Sequence, residues 1–196
     1  MISLVWTETE DSAISPSACI GASLCAVDDN RALVFGGGSP NGMMADAWIW
    51  NVKKKEWKPV GSTDSNENRP SPRYQHACVS NGNKVYIHGG GSEKAVFGDL
   101  FEFNVDTEEW TCLYTPSGTD TGNMEPAARN MHSMAYWKDK LYIWGGAGLD
   151  NVPCDTKLWS FDLGSKTWQA TATSGDSPGP RFSQVAQCLS VSGKED

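Results

Sequence analysis

The runs Ala32-Leu33-Val34-Phe35-Gly36-Gly37, Val85-Tyr86-Ile87-His88-Gly89-Gly90 and Leu141-Tyr142-Ile143-Trp144-Gly145-Gly146 are one short apolar segment closed by two glycines, met three times. The spacing is 53 residues from Gly36 to Gly89 and 56 from Gly89 to Gly145. Two further landmarks keep the same phase. Asn51 precedes Trp57, Asn104 precedes Trp110 and Asp162 precedes Trp168, six residues apart each time. A Pro/Arg lead-in recurs at Pro70-Ser71-Pro72-Arg73-Tyr74-Gln75-His76, Pro126-Ala127-Ala128-Arg129-Asn130-Met131-His132 and Pro178-Gly179-Pro180-Arg181-Phe182-Ser183-Gln184. Three features in one phase make this a tandem repeat, and a period near 50 on strand-like runs points to a propeller.

One unit reads as four strands. A small-residue strand, His76-Ala77-Cys78-Val79, leads through Asn81-Gly82-Asn83 into the apolar run that ends at the double glycine, and Asn-Gly between apolar runs signals a hairpin. The run Lys84 to His88 suits a strand buried on both faces, and glycine there permits a positive φ or a close backbone approach. A variable loop follows, then a bulky third strand: Trp48 and Trp50, Phe101 and Phe103, Trp159 and Phe161. Their recurrence on one strand favours core packing over a sugar platform. A polar turn leads to Trp57, Trp110 or Trp168 on the fourth strand, where a large ring can cover the gap to a neighbouring unit.

These units resemble the kelch repeat family of β-propellers, over nearly the whole chain. The resemblance implies an all-β, partial and open propeller of three four-stranded antiparallel blades, at about 18–62, 72–115 and 128–172, in a single domain covering 1–196. Lys157 stands where the other units have Asp46 and Asp99, and Gln184 where they have His76 and His132. In the first unit Ser17-Ala18-Cys19-Ile20 takes the place of the Pro/Arg segment and Ser23 that of His76, so the Arg is missing there. Trp6 lies 51 residues before Trp57, so residues 2–7 read as a stray fourth strand, and 184–191 as a stray first strand. Three whole blades fall short of a closed ring of four to eight, which implies a fragment of a longer propeller with open ends able to self-associate.

Composition excludes several functions. A net charge of -8 opposes binding to a phosphate backbone, so no nucleic-acid partner is expected. The one basic run, Lys53-Lys54-Lys55, is answered by Asp106-Thr107-Glu108-Glu109 in the next unit, which marks a solvated turn. No leader and no membrane-length apolar stretch is visible, and the reading is a soluble, cytoplasmic chain with no membrane partner. Of the six cysteines, Cys25 and Cys78 fall at the same place in their units and Cys188 two places further, and they read as small core residues. Cys19 and Cys25 are six apart without a matching pair, so neither zinc nor any other metal or cofactor is expected.

The three histidines all lie inside the repeat motifs, so no hydrolase triad is read, and the triple glycines lack the Lys-Ser/Thr or helix start of a phosphate cradle. His76 and His132, each three residues after an Arg, read as structural and as making the same hydrogen bonds in each blade. The family resemblance implies a non-enzymatic protein-binding module, within a longer scaffold or substrate-recognition protein. Carried onto this chain, the binding face draws on Tyr74, Gln75, Asn130, Met131, Phe182 and Ser183, with Arg73, Arg129 and Arg181 as cations suited to a partner's carboxylates. The alternative for those arginines is that they tie each first strand to neighbouring backbone or acids. The loops Gly38 to Ala45, Gly91 to Gly98 and Ala147 to Cys154 would add apolar anchors at Met43, Met44, Phe97 and Leu149. The competing class is a propeller enzyme, a copper radical oxidase or a sugar-acid enzyme, whose site would need residues from other blades.

Overall fold

The computed structural model describes residues 14–61, 68–118 and 124–188, and these form twelve strands. The first sheet holds β1 (Ser23–Ala26), β2 (Arg31–Ser39), β3 (Gly42–Asn51) and β4 (Glu56–Val60). The second holds β5 (Ala77–Asn81), β6 (Lys84–His88), β7 (Leu100–Asn104) and β8 (Glu109–Tyr114). The third holds β9 (Ser133–Trp137), β10 (Lys140–Trp144), β11 (Leu158–Asp162) and β12 (Thr167–Thr171). Each sheet is an antiparallel meander with its strands in chain order. Neighbouring sheets touch through their first strands, β1 with β5 and β5 with β9, which sets the three blades side by side with the fourth strands outermost.

The Asn/Asp landmark is a turn device. The Asn104 side-chain oxygen accepts from the backbone N–H groups of Asp106 and Thr107, and that of Asp162 from Gly164 and Ser165. Asn51 accepts likewise from Lys54. The side chain thus bridges the turn that its own carbonyl closes, as Asx residues do. Each turn then passes through one left-handed residue, Lys55 at φ 53°, Glu108 at 59° or Lys166 at 57°, before the Trp strand begins.

The core lies in the seams. One apolar cluster joins Leu33, Phe35 and Ile49 of the first blade to Ile87, Phe103 and Trp110 of the second. Another joins Tyr86 and Leu100 of the second to Ile143, Phe161 and Trp168 of the third. Trp110 packs on Phe103 of its own blade at 4.7 Å and on Phe35 of the preceding one at 5.1 Å. Trp168 repeats this with Phe161 at 5.1 Å and His88 at 5.2 Å. Trp57 packs on Trp50 in the same way, yet Trp48, Trp50 and Trp57 stay half-buried because no described blade covers that face. Full burial of an apolar side chain is worth about 1.5–3 kcal/mol, so the seams carry much of the stability.

The double glycine is where the seam closes. Gly37, Gly90 and Gly146 donate their N–H groups to the carbonyls of Arg73, Arg129 and Arg181 in the next lead-in, at 2.8, 2.9 and 2.9 Å. The first glycine of each pair has φ of 65°, 63° or 70°, and a Cβ on Gly89 would stand 2.5 Å from the Arg129 carbonyl oxygen. No side chain fits there.

Beside this joint a ring-shaped position varies. His76 meets Phe35 edge-on at 5.2 Å, His132 meets His88 at 4.9 Å, and Gln184 bonds the Trp144 carbonyl at 2.7 Å. The histidines therefore share a position and not a hydrogen bond: His76 Nε2 pairs with Ser23 Oγ at 2.7 Å, His132 Nε2 with His88 Nδ1 at 2.9 Å. Phe35 offers no polar partner where His88 offers a ring nitrogen.

Four expectations need correction. Ser23 pairs with Phe35 as Ala77 pairs with His88, so the first unit sits one residue off the alignment: Cys19 holds the Arg place, Ala22 that of His76, and Cys25 matches Val79, not Cys78. The segment Gly38 to Ala45 is no loop but the end of a long β2–β3 hairpin that turns at Pro40 and Asn41 and carries a bulge between Phe35 and Gly37. Lys157 leaves no gap in the third blade, because Asp155 supplies the acid two residues earlier. Residues 184–188 form no strand, since no described segment stands beside them to complete a ladder. Residues 2–7 and 189–191 lie outside the described residues.

Gly89→Ala combines a left-handed backbone with direct overlap, so it should cost about 3 kcal/mol or more. Gly82→Ala, at φ 57° with nothing within 4 Å, should cost only about 1–2 kcal/mol. Urea unfolding of both variants checks the difference.

Burial first, then the charge of Arg73, depresses His76 to about 3. Burial, then Arg129 and Arg73, brings His88 to about 3, and burial with His88 and Arg129 holds His132 well below the usual range. The unfolded chain, with histidines near 6.5, takes up protons that the folded chain refuses. Stability is therefore full above about pH 6.5 and falls as pH drops toward 3, each histidine adding up to about 1.4 kcal/mol per pH unit. Above about pH 5.5 the carboxylates are ionised in the unfolded chain as well and contribute little, so unfolding free energies between about pH 5.5 and 7.5 isolate the histidines. His132→Gln, the residue that Gln184 places at this position, should flatten that slope.

Candidate functional site

The lead-ins form one continuous face. The Gly21 carbonyl accepts from the Gln75 N–H at 2.7 Å, the Gln75 carbonyl from Met131 at 2.9 Å, and the Met131 carbonyl from Ser183 at 2.9 Å. All four residues hold φ between 52° and 68°, so one left-handed residue per blade passes the chain of bonds to the next. Tyr74 and Asn130, just before them, are pinned by paired backbone bonds to Gly91 and Ala147, the residues after each double glycine. Ile20 and Gly38 make the same pair in the first blade. The structure thus brings Tyr74, Gln75, Asn130, Met131, Phe182 and Ser183 onto one rim. Gln75, Met131 and Tyr74 are half-buried, Phe182 and Ser183 are exposed, and Asn130 is buried.

Two of the three arginines leave that rim. Arg73 and Arg129 are fully buried. The Arg73 guanidinium grips both Asp99 oxygens at 2.5 and 2.9 Å, bonds the Gly89 carbonyl and Ser71, and stacks 4.4 Å from the Phe97 ring. Arg129 bonds Asp155 and the Gly145 carbonyl, each at 2.9 Å, and the Ala127 carbonyl. Each ties its own lead-in to its own double glycine, the structural alternative weighed for these residues, and its donors are turned inward. Burial raises the Asp155 carboxyl, but Arg129, the Lys157 N–H and the Trp159 indole together hold it below the usual range. Arg181 is exposed, its charge 5.8 Å from the Trp144 ring.

Where the arginine is missing the surface opens. Cys19, in its place, sets Sγ 3.9 Å from the Gly36 carbonyl, the counterpart of the carbonyl Arg73 takes in the second blade. An apolar cleft of about 550 Å³ lies there, walled by Cys19, Ile20, Pro40, Met43 and Tyr74. Ile20 is 75% exposed. Met43 forms a ridge with a second depression of about 540 Å³ beyond it, toward Pro72, Ala95 and Phe97. Ile20 and Pro40 escaped the sequence reading, because one lay in a lead-in without its Arg and the other in a segment taken for a loop. Of the other anchors, Leu149 is exposed at 59%, while Phe97 and Met44 are half-buried.

The three histidines lie buried in the seams, away from this cleft. Among the described residues no group of three or more His, Cys, Asp or Glu is placed to hold a metal ion. No helix of the described residues is long and apolar enough to cross a membrane.

The comparisons with known proteins agree with this architecture. A family model described as the KLHDC2/KLHL20/DRC7 Kelch-repeats domain matches residues 1–121 and 63–194. The chain is 29% identical over 185 residues to a Rab9 effector protein with kelch motifs from Xenopus laevis, covering 89% of this chain and 48% of that protein. It is 30% identical over 162 residues to the Homo sapiens protein of that name, covering 79% and 40%. It is 35% identical over 124 residues to Kelch domain-containing protein 2 of Bos taurus, covering 63% and 26%. The chain spans less than half the length of these curated relatives. With the repeat, the three meander blades and the family match in agreement, this chain belongs to the kelch-repeat family.

Proposed function

We propose that this chain is a protein-binding module that takes an apolar segment of a partner into the cleft between its first two blades. The observation that carries this reading is the cleft itself: a concave apolar surface beside Ile20, which no side chain among the described residues covers. Isolated exposed apolar residues are ordinary, but one at the mouth of an apolar cleft marks an anchor pocket. The hydrogen-bonded rim through Gln75, Met131 and Ser183 holds that pocket rigid, so binding costs little ordering. The relatives named as Rab9 effector proteins with kelch motifs support a protein-interaction role, and with it we propose a scaffold or substrate-recognition part in a longer protein. The coverage of less than half of each relative means that other parts of such a protein would define the pathway. The six unpaired cysteines suit a reducing, cytoplasmic setting.

Self-association is a second reading, favoured by the half-buried Trp48, Trp50 and Trp57 on the face of the first blade that no described blade covers. Light scattering separates it from partner binding. A mass near 21.3 kDa identifies the monomer and a doubled mass the dimer.

A photo-crosslinking residue at position 43 should capture the partner and locate its contact segment. Affinity for that segment should then fall about tenfold or more for Ile20→Asp and for Tyr74→Ala, a change of roughly 1.4 kcal/mol or more each. Leu149→Ala, remote from the cleft, should leave it unchanged. Equal affinity across all three variants by calorimetry would remove the cleft from the function.

A further inference from the structure

Two thiols face one another across the seam beneath this cleft. On β1, Ser23 and Cys25 point toward the second blade, since they share a face with Phe35 and Leu33, their partners across the ladder. On β5, Cys78 and Ser80 point back toward the first blade, on the face of Ile87 and Val85. Two hydrogen bonds bracket the position: Ser23 Oγ to His76 Nε2 at 2.7 Å, and Ser80 Oγ to the Ala26 carbonyl at 2.5 Å. Between them the alternation of side chains leaves Cys25 opposite Cys78, and Cys78 packs on the apolar cluster that contains Cys25.

We propose that Cys25 and Cys78 form a reversible disulfide that staples the first blade to the second when hydrogen peroxide oxidises the pair. The Cys25 thiolate attacks one peroxide oxygen, the O–O bond breaks, and the other oxygen leaves as hydroxide and is protonated to water. The Cys78 sulfur then attacks the Cys25 sulfenic acid, the S–O bond breaks, and a second water leaves. The two sulfurs give up two electrons and the peroxide takes them. The chemistry favours Cys25 as the attacking sulfur. A hydrogen bond from Cys78 lowers it to about 7, against burial and with help from Ser80, while that same bond first, then burial, pushes Cys78 well up. At the second seam the place of Cys78 is taken by Met134, so the device is specific to the blades that wall the cleft.

The test uses the full chain with Cys188→Ser, to remove an exposed thiol that could pair between molecules. After treatment with hydrogen peroxide and alkylation, non-reducing peptide mapping should find the peptide holding Cys25 joined to that holding Cys78, two hydrogens lighter than the separate pair. The link should persist in Cys19→Ser, vanish in Cys25→Ser and in Cys78→Ser, and be reversed by dithiothreitol. Oxidation should raise the melting temperature by roughly 5–10 °C only where both cysteines are present. Recovery of Cys25 and Cys78 as separate alkylated thiols or separate sulfinic acids, under conditions that oxidise Cys188 in the unsubstituted chain, would overturn the proposal. A link that uses Cys19 in place of Cys25 would overturn it equally.

Discussion

The hydrogen bond from the second glycine of each pair to the carbonyl of the next lead-in holds the blades at one separation. It is made three times, at 2.8 to 2.9 Å, and it is made by backbone on both sides. The same joint brings the lead-in carbonyl 2.5 to 2.7 Å from where a Cβ on the first glycine would stand, which is why that glycine recurs while the residues before it do not. With the carbonyl fixed, the following residues must turn sharply, and Gln75, Met131 and Ser183 do so with positive φ. Those turns in turn set the bonds that pass along the rim. The rim, and with it the proposed binding face, is therefore a by-product of the joint that sets the blades side by side.

The position next to the joint shows how far side chains can vary once backbone has fixed the spacing. Phe35 with His76, His88 with His132, and Trp144 with Gln184 fill the same place with different chemistry. An apolar ring under a histidine, two histidines sharing a hydrogen bond, and an amide on a carbonyl all satisfy the space. The first two leave neutral imidazoles buried in the seam near buried arginines, which is tolerable only while they stay unprotonated.

What was legible in the sequence was whatever the backbone demands of one residue type. Gly36, Gly89 and Gly145 declare a positive φ and a close approach, and Asn51, Asn104 and Asp162 declare a side chain that closes a turn. What was hidden depends on side chains that reach across sequence. Asp155 does the work of Asp99 from a different place in the chain, because a guanidinium fork needs a carboxylate at a point in space, not at a position in a repeat. The length of the β2–β3 hairpin was hidden too, since Gly42 and the polar turn around it look like a loop until the ladder carries on past the bulge. The one-residue offset of the first lead-in escaped because its marker, the arginine, is absent.

That absence also bears on where a partner can dock. In the second and third blades the arginine fills the volume behind the lead-in and pairs with an acid. In the first, Cys19 is too short to reach an acid, Asp46 is left exposed at the surface, and the lengthened hairpin carries Met43 up beside Ile20. The blade that departs furthest from the repeat thus carries the apolar cleft at its missing arginine. Repetition builds the scaffold, and the place where repetition fails is where the proposed partner segment finds room.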